Sequence, residues 1–331
     1  MRILFTGNLF HNYESDIKDG LTELGHSVDM VFNNIHGPFQ IQDIKTIPEW
    51  LMYGVLPHKL NIDYFTNRSI ENYNKYIQNL INKNTYDILL VIGAKTIYPE
   101  TIALFKGRKV FWFMDGLPRY EYVLPIIPFF DDIFVFEPTD IIYIKEKLGL
   151  QAKFLTLAFS PKRYYKKDLA IKYDCSFVGS FYPKREEYLN ELLKVTNNIC
   201  ICGDFYRSKY KELKKKVKGI NVPSGVANDL YNSSKVNVNI HHPQSKEGLA
   251  IRTFEIIGAG GFQIVERQKG ALNYFEEDIH MAFYESEDEF IDKCTYYLKH
   301  ESERIKIARE CYKIALEQHT WKARLRESKI F

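Results

Sequence analysis

Short runs of β-branched and aliphatic residues alternate with helix-length segments from the first residues onward, and this alternation restricts the fold more than any other feature of the chain. In the first half the runs are ILFT (3–6), SVDMVF (27–32), DILLVI (87–92), KVFWFM (109–114) and DIFVF (132–136). Strands separated by helices pair in parallel through crossovers, so the pattern gives βαβ units with helices covering the sheet. Between the first two runs, GLTELGHS ends a helix with Gly25 as its C-terminal cap. Residues 1–160 therefore read as one Rossmann-like α/β half.

The rhythm pauses over the Lys- and Tyr-rich stretch 161–173 and then restarts. CSFVGS reads as strand and turn, and PKREEYLNELLKV as an amphipathic helix. NICICGD then forms a strand, RSKYKELKKKVKG a helix, GVANDLYNSS a short helix, KVNVNI a strand, GLAIRTFEIIGAGG a helix and FQIVE a strand. The expected division is an N-terminal domain 1–160, a linker 161–173, a C-terminal domain 174–316, and a last helix 317–331 returning to the first domain. From residue 285 onward the chain reads as mostly helical.

A length of 331 residues suits two such domains, since single cores stop growing at about 250–300 residues. Its apolar runs fall short of the roughly 18–20 residues that span a bilayer, and MRILFTGN has no apolar leader segment. Five cysteines without C-x-x-C spacing fit neither a disulfide framework nor a zinc finger, and Cys200 and Cys202 share one strand face as core residues. These features together read as a cytoplasmic chain. The net charge of +3 hides an asymmetry: residues 1–150 hold 14 Lys and Arg against 18 Asp and Glu, leaving 31 against 24 for the remainder. A basic second half suits an anionic small ligand, although much of the excess lies in solvated lysine runs.

The strongest chemical signal is VNVNIHHPQSKEGLAIRTFEIIGAGGFQIVE (236–266), in which Glu247 and Glu255 enclose seven residues. A helix starting near Gly248 and Leu249 would offer free N–H groups and a partial positive charge to a phosphate. Glu255, two turns in, could accept two ribose hydroxyls. Gly258, Gly260 and Gly261 suit either a close-approaching ligand or tight helix-to-strand packing. His241 and His242 end a strand and point to opposite faces, so only one, His242 in the expected site, can approach a nucleotide.

EGLAIRTFEIIGAGG resembles the E-x7-E segment of two-domain GT-B glycosyltransferases. RTFEIIGAGGFQIVE looks particularly like the CgeB-like, spore-maturation-protein group, as do CSFVGSFYPKREEYL and YNSSKVNVNIHH. The similarity is good over 174–324 and weaker, though in order, over 1–160. The resemblance implies a GT-B fold, with a nucleotide diphosphate sugar held by the second domain and an acceptor approaching from the first across a cleft. By the same resemblance, Glu255 binds ribose and Glu247 faces the sugar or diphosphate. Gly179 and Ser180 form a loop under the diphosphate, and Lys184, Arg185 or Arg252 supplies positive charge. Each basic residue has an alternative as a solvated helix residue. The sequence has GLAI where retaining enzymes with this motif carry Phe-Gly after the first acid, so Glu247 fits the motif less closely than Glu255; the resemblance itself implies neither inversion nor retention.

In the first half, Gly7 and Asn8 follow the first strand, and His11 nearby is either a base or a surface or cap residue. Asp115 ends KVFWFM and begins DGLPR, so it serves either as general base on an acceptor hydroxyl or as cap of the following helix. Trp50, Leu51, Tyr53 and Leu56, in a stretch without regular period, suit burial or contact with a membrane surface or lipid-linked acceptor. No Asp-x-Asp and no G-x-x-x-x-G-K-[ST] occurs, which favours a metal-independent reaction without a cofactor and argues against a P-loop kinase or ATPase. The expected activity is transfer of a sugar from a nucleotide diphosphate donor to a cell-surface, spore-coat or glycan acceptor, lipid-linked and protein acceptors included. A sugar-nucleotide epimerase of the same architecture is the alternative. A nucleic-acid-binding protein is a further one, with no recognisable binding module behind it.

Overall fold

The computed structural model describes residues 1–8, 13–33, 62–220, 222–243 and 245–331. The chain forms two compact units, residues 1–155 with 328–331, and residues 156–327. His11 and the stretch containing Trp50, Leu51, Tyr53 and Leu56 lie outside the described residues.

The N-terminal unit is built on six parallel strands: β1 (Arg2–Asn8), β2 (Ser27–Asn33), β3 (Ile88–Ile92), β4 (Arg108–Phe113), β5 (Asp132–Val135) and β6 (Lys153–Phe154), in the order β2-β1-β3-β4-β5-β6. β3 is buried along its whole length, as a parallel strand covered on both faces requires, and this is why it reads as an uninterrupted apolar run. The helix Tyr13–Glu23 ends before Gly25, which adopts φ 87° and whose amide donates to the Thr22 carbonyl at 2.9 Å. The cap expected from the sequence is thus present.

The C-terminal unit repeats the plan with β7 (Tyr173–Val178), β8 (Ile199–Cys202), β9 (Val217–Gly219), β10 (Ser234–Asn239), β11 (Gln263–Glu266) and β12 (Ala282–Tyr284), ordered β12-β11-β10-β7-β8-β9. Every pairing in both sheets is parallel. Counted from its own first strand, this order is 6-5-4-1-2-3, the doubly wound Rossmann arrangement. Residues 156–172 run with this unit, burying Phe159 and Tyr164. All five cysteines are free and buried. Each unit thus carries a parallel Rossmann-like sheet, the two-domain α/β plan that the resemblance implies.

The structure adds strands that local pattern misses. Val217–Gly219 falls inside a lysine-rich run that reads as helix, but only Lys211–Lys215 is helical. β9 forms because the edge of β8 offers unpaired backbone groups, and a register shift between Ile201 and Cys202 accommodates it. Among the described residues no helix is long and apolar enough to cross a membrane.

Candidate functional site

In an open parallel sheet, ligands bind beyond the carboxyl ends of the strands where the winding direction reverses, because the two loops there diverge and leave a crevice. In the C-terminal unit that point lies between β7 and β10. Gly179 and Ser180 follow β7, and His241 and His242 follow β10 shortly after it ends, so the topology brings these sequence candidates to one edge.

Arg185 joins the two loops. It sits in the first turn of the helix Pro183–Leu192, donates from Nε to the Ile240 carbonyl at 2.8 Å and from Nη1 to the Ser180 carbonyl at 2.9 Å. Gly179 leaves room for this guanidinium: a Cβ there would stand 3.3 Å from Arg185 Nη1 and 2.9 Å from the Phe177 ring. The loop is also held by Asp204, which accepts from the Phe181 amide at 2.5 Å. At the adjoining strand end, Gly203 has φ +151° and its missing Cβ would fall 1.9 Å from the Gly179 carbonyl oxygen, so glycine is required for this close approach.

Burial first, and then the charge of Arg252, lower Arg185 to about 10. Among the described residues no carboxylate pairs with Arg185. Two guanidinium groups stand near one another; Arg252 pairs with Glu255 and, among the described residues, Arg185 has no such pair, which leaves a local excess of positive charge that an anion would relieve. Arg252 donates to Glu255 Oε2 at 2.9 Å and to the Tyr231 hydroxyl at 3.3 Å. Lys184, by contrast, is committed to Glu266 at 2.5 Å.

His241 is 1% exposed, and among the described residues neither ring nitrogen has a hydrogen-bond partner. Burial, followed by the charges of Arg185 and Lys184, lowers it to about 3, so it is neutral at physiological pH. His242 lies half-buried with its ring edge-on to Tyr182, centroids 4.1 Å apart. Strand alternation separates the two histidines but cannot show which one lacks a partner.

The helix carrying Glu255 spans Ile251–Gly258, starting beyond Gly248 and Leu249, which are buried in the bend and loop leading into it. Glu255 is 2% exposed; it accepts from the Tyr164 hydroxyl at 2.8 Å as well as from Arg252. Glu247 pairs with Lys269 at 2.8 Å. The glycines at and just beyond the helix end serve packing: a Cβ on Gly258 would meet the Phe159 ring at 2.3 Å, and one on Gly261 the Asn237 amide at 2.6 Å. Tyr164 escaped the sequence analysis because 91 residues separate it from Glu255 and nothing local marks it.

In the N-terminal unit, Asp115 lies just past β4, half-buried, with Oδ1 accepting from the Gly116 amide at 2.9 Å. The turn Leu117–Arg119 has no side-chain cap from its N-terminal flank; instead Asp140 accepts from the Leu117 amide at 2.9 Å. Asp115 is therefore not the helix cap. Among the described residues no group of three or more His, Cys, Asp or Glu is placed to hold a metal ion.

Residues 184–329 match the glycosyl transferase-like family. The chain is 23% identical over 258 residues to the spore protein CgeB of Bacillus subtilis (strain 168), covering 71% of this chain and 79% of that protein. In three dimensions it is similar to sucrose-phosphate synthase from Thermosynechococcus elongatus, with a TM-score of 0.66, 12% identity, and coverage of 100% and 98% of the two chains. It is also similar to HepE of Anabaena, solved with UDP and glucose, with a TM-score of 0.65, 11% identity and 99% of each chain covered. None of these likenesses supports the epimerase or nucleic-acid-binding alternatives.

Proposed function

We propose that the protein is a glycosyltransferase that takes a nucleotide diphosphate sugar as donor and passes the sugar to a cell-surface, spore-coat or other glycan acceptor in the cytoplasm or at a membrane surface. The observation that carries this reading is Arg185, a partly buried guanidinium at the β7/β10 switch point with two carbonyl partners and, among the described residues, no carboxylate. A diphosphate supplies the missing negative charge. In this proposal Gly179 and Ser180 lie beneath the diphosphate, Arg185 and Arg252 meet its charge, and Lys184 exchanges Glu266 for a phosphate oxygen. Amides of Gly248 and Leu249 and the ring of His242 line the same site, with Glu247 facing the sugar.

Glu255 accepts the ribose hydroxyls, which replace the Tyr164 hydroxyl it now holds. Fixed cations of this kind stabilise the departing diphosphate without a metal, because they are already oriented when charge develops. Asp115 is the proposed general base on the acceptor hydroxyl. His11 is carried only by the sequence reading.

HepE was solved with UDP, so UDP is the first ligand to test. In a thermal-shift and calorimetric titration, UDP or another nucleoside diphosphate at 100 times its Kd stabilises the native protein by about 2.7 kcal/mol. Failure of every common nucleoside diphosphate and sugar nucleotide to bind would overturn the reading. Loss of turnover in EDTA, restored by manganese or magnesium, would overturn the metal-independent part alone.

A further inference from the structure

The carboxyl edge of β4 carries a patch whose chemistry differs from that of the cationic site. Asp115 lies there with Tyr120 and Tyr122, whose rings meet edge to face, centroids 5.8 Å apart at 88°. Phe113 braces Tyr120 from the strand at 5.9 Å, and the Arg119 guanidinium stands 5.2 Å over the Tyr120 ring. Tyr122 remains 49% exposed. Burial first, then the Asp115 charge, pushes Tyr120 up to about 12, and the same two causes raise Tyr122. Among the described residues no Lys or Arg forms an ion pair with Asp115.

We propose that this patch binds the pyranose end of an uncharged glycan, with the Tyr122 ring against the C–H face of the sugar and Asp115 accepting its hydroxyls. Three features point to that class. An exposed aromatic ring presents a negative π-face, which attracts the weakly positive C–H bonds of a pyranose. A carboxylate only accepts hydrogen bonds at neutral pH, and a polyol offers several O–H donors. Arg119 is engaged over the Tyr120 ring and forms no ion pair with Asp115 among the described residues, so a phosphate set against Asp115 itself meets a like charge and a neutral polyol fits that side of the patch better. Its assignment as the acceptor subsite rests on the transferase reading above; the binding itself does not.

Saturation-transfer NMR and calorimetry on the full chain test the site, with cellobiose and methyl N-acetyl-β-glucosaminide as neutral probes and glycerol phosphate as the anionic one. The expected result is saturation transfer to the ring C–H protons of a neutral probe and no response from glycerol phosphate. Tyr122→Phe keeps the affinity within about twofold, whereas Tyr122→Ala lowers it by about fivefold to tenfold, the scale of one aromatic contact. UDP titration of each variant runs in parallel. A protein that binds UDP but neither neutral probe overturns this site and leaves the transferase reading standing. Neutral probes that bind Tyr122→Ala as tightly as the native chain, or a preference for glycerol phosphate, also overturn it.

Discussion

The carboxyl edges of the two sheets start from the same architecture and end in opposite chemistry. Each sheet has six parallel strands, and each uses a glycine where neighbouring strand ends approach closely: a Cβ on Gly7 would meet the Ile92 carbonyl at 1.8 Å, and one on Gly203 the Gly179 carbonyl at 1.9 Å. The second sheet then places Arg185, Lys184, Arg252 and a neutral buried His241 around its switch point. The first places a carboxylate and two phenols one strand away from its own. The backbone plan thus fixes where a ligand can sit, and a few side chains decide its charge.

Removing the cation that distinguishes the second edge has the largest expected effect. Arg185→Ala weakens UDP binding by about 100-fold to 1,000-fold, the scale of one or two hydrogen bonds to a charged group. Thermal melting falls as well, since Arg185 also ties Ser180 to Ile240. Arg185→Lys keeps the charge without the planar fork and recovers part of the affinity. Native-like UDP affinity in folded Arg185→Ala would erase the contrast between the edges.

Asp115→Asn tests the first edge. If Asp115 is the base, turnover drops by about 100-fold while UDP affinity stays unchanged, because only the proton-accepting step is lost. Asp140 already holds the Leu117 amide, so loss of a cap cannot account for such a drop. Turnover near the native rate would remove Asp115 from the chemistry.

The smallest expected effect is on stability against pH. His241 and His319 in the second unit are buried and lowered to about 3, each by burial first; the charges of Arg185 and Lys184 follow for His241, and those of Arg324 and His280 for His319. An unfolded histidine binds a proton near pH 6.5, so the unfolded state holds more protons between pH 6.5 and 3. The contribution to stability is therefore complete above about pH 6.5 and declines as pH falls through that window. Between pH 7 and 5 each histidine withdraws up to about 2 kcal/mol. Urea unfolding at the two pH values measures this, and His241→Asn reduces the difference. An unchanged difference in that variant would show that His241 gains a proton without penalty in the folded chain.

The alternation of apolar runs and helical segments determined the parallel sheets, the strand order along the chain and the Gly25 cap, because strand period, helix period and backbone sterics act over a few neighbouring residues. Tertiary structure decided what those local rules cannot reach. It made Val217–Gly219 a strand, because an edge of β8 was available to pair with it. It assigned Gly258 and Gly261 to packing against Phe159 and Asn237. It committed Lys184 to Glu266, 82 residues away, while Arg185 meets no carboxylate among the described residues, although the two are neighbours in sequence and carry the same charge. Pairing, burial and desolvation depend on which distant groups arrive within a few ångströms, and that information appears only when the chain is folded.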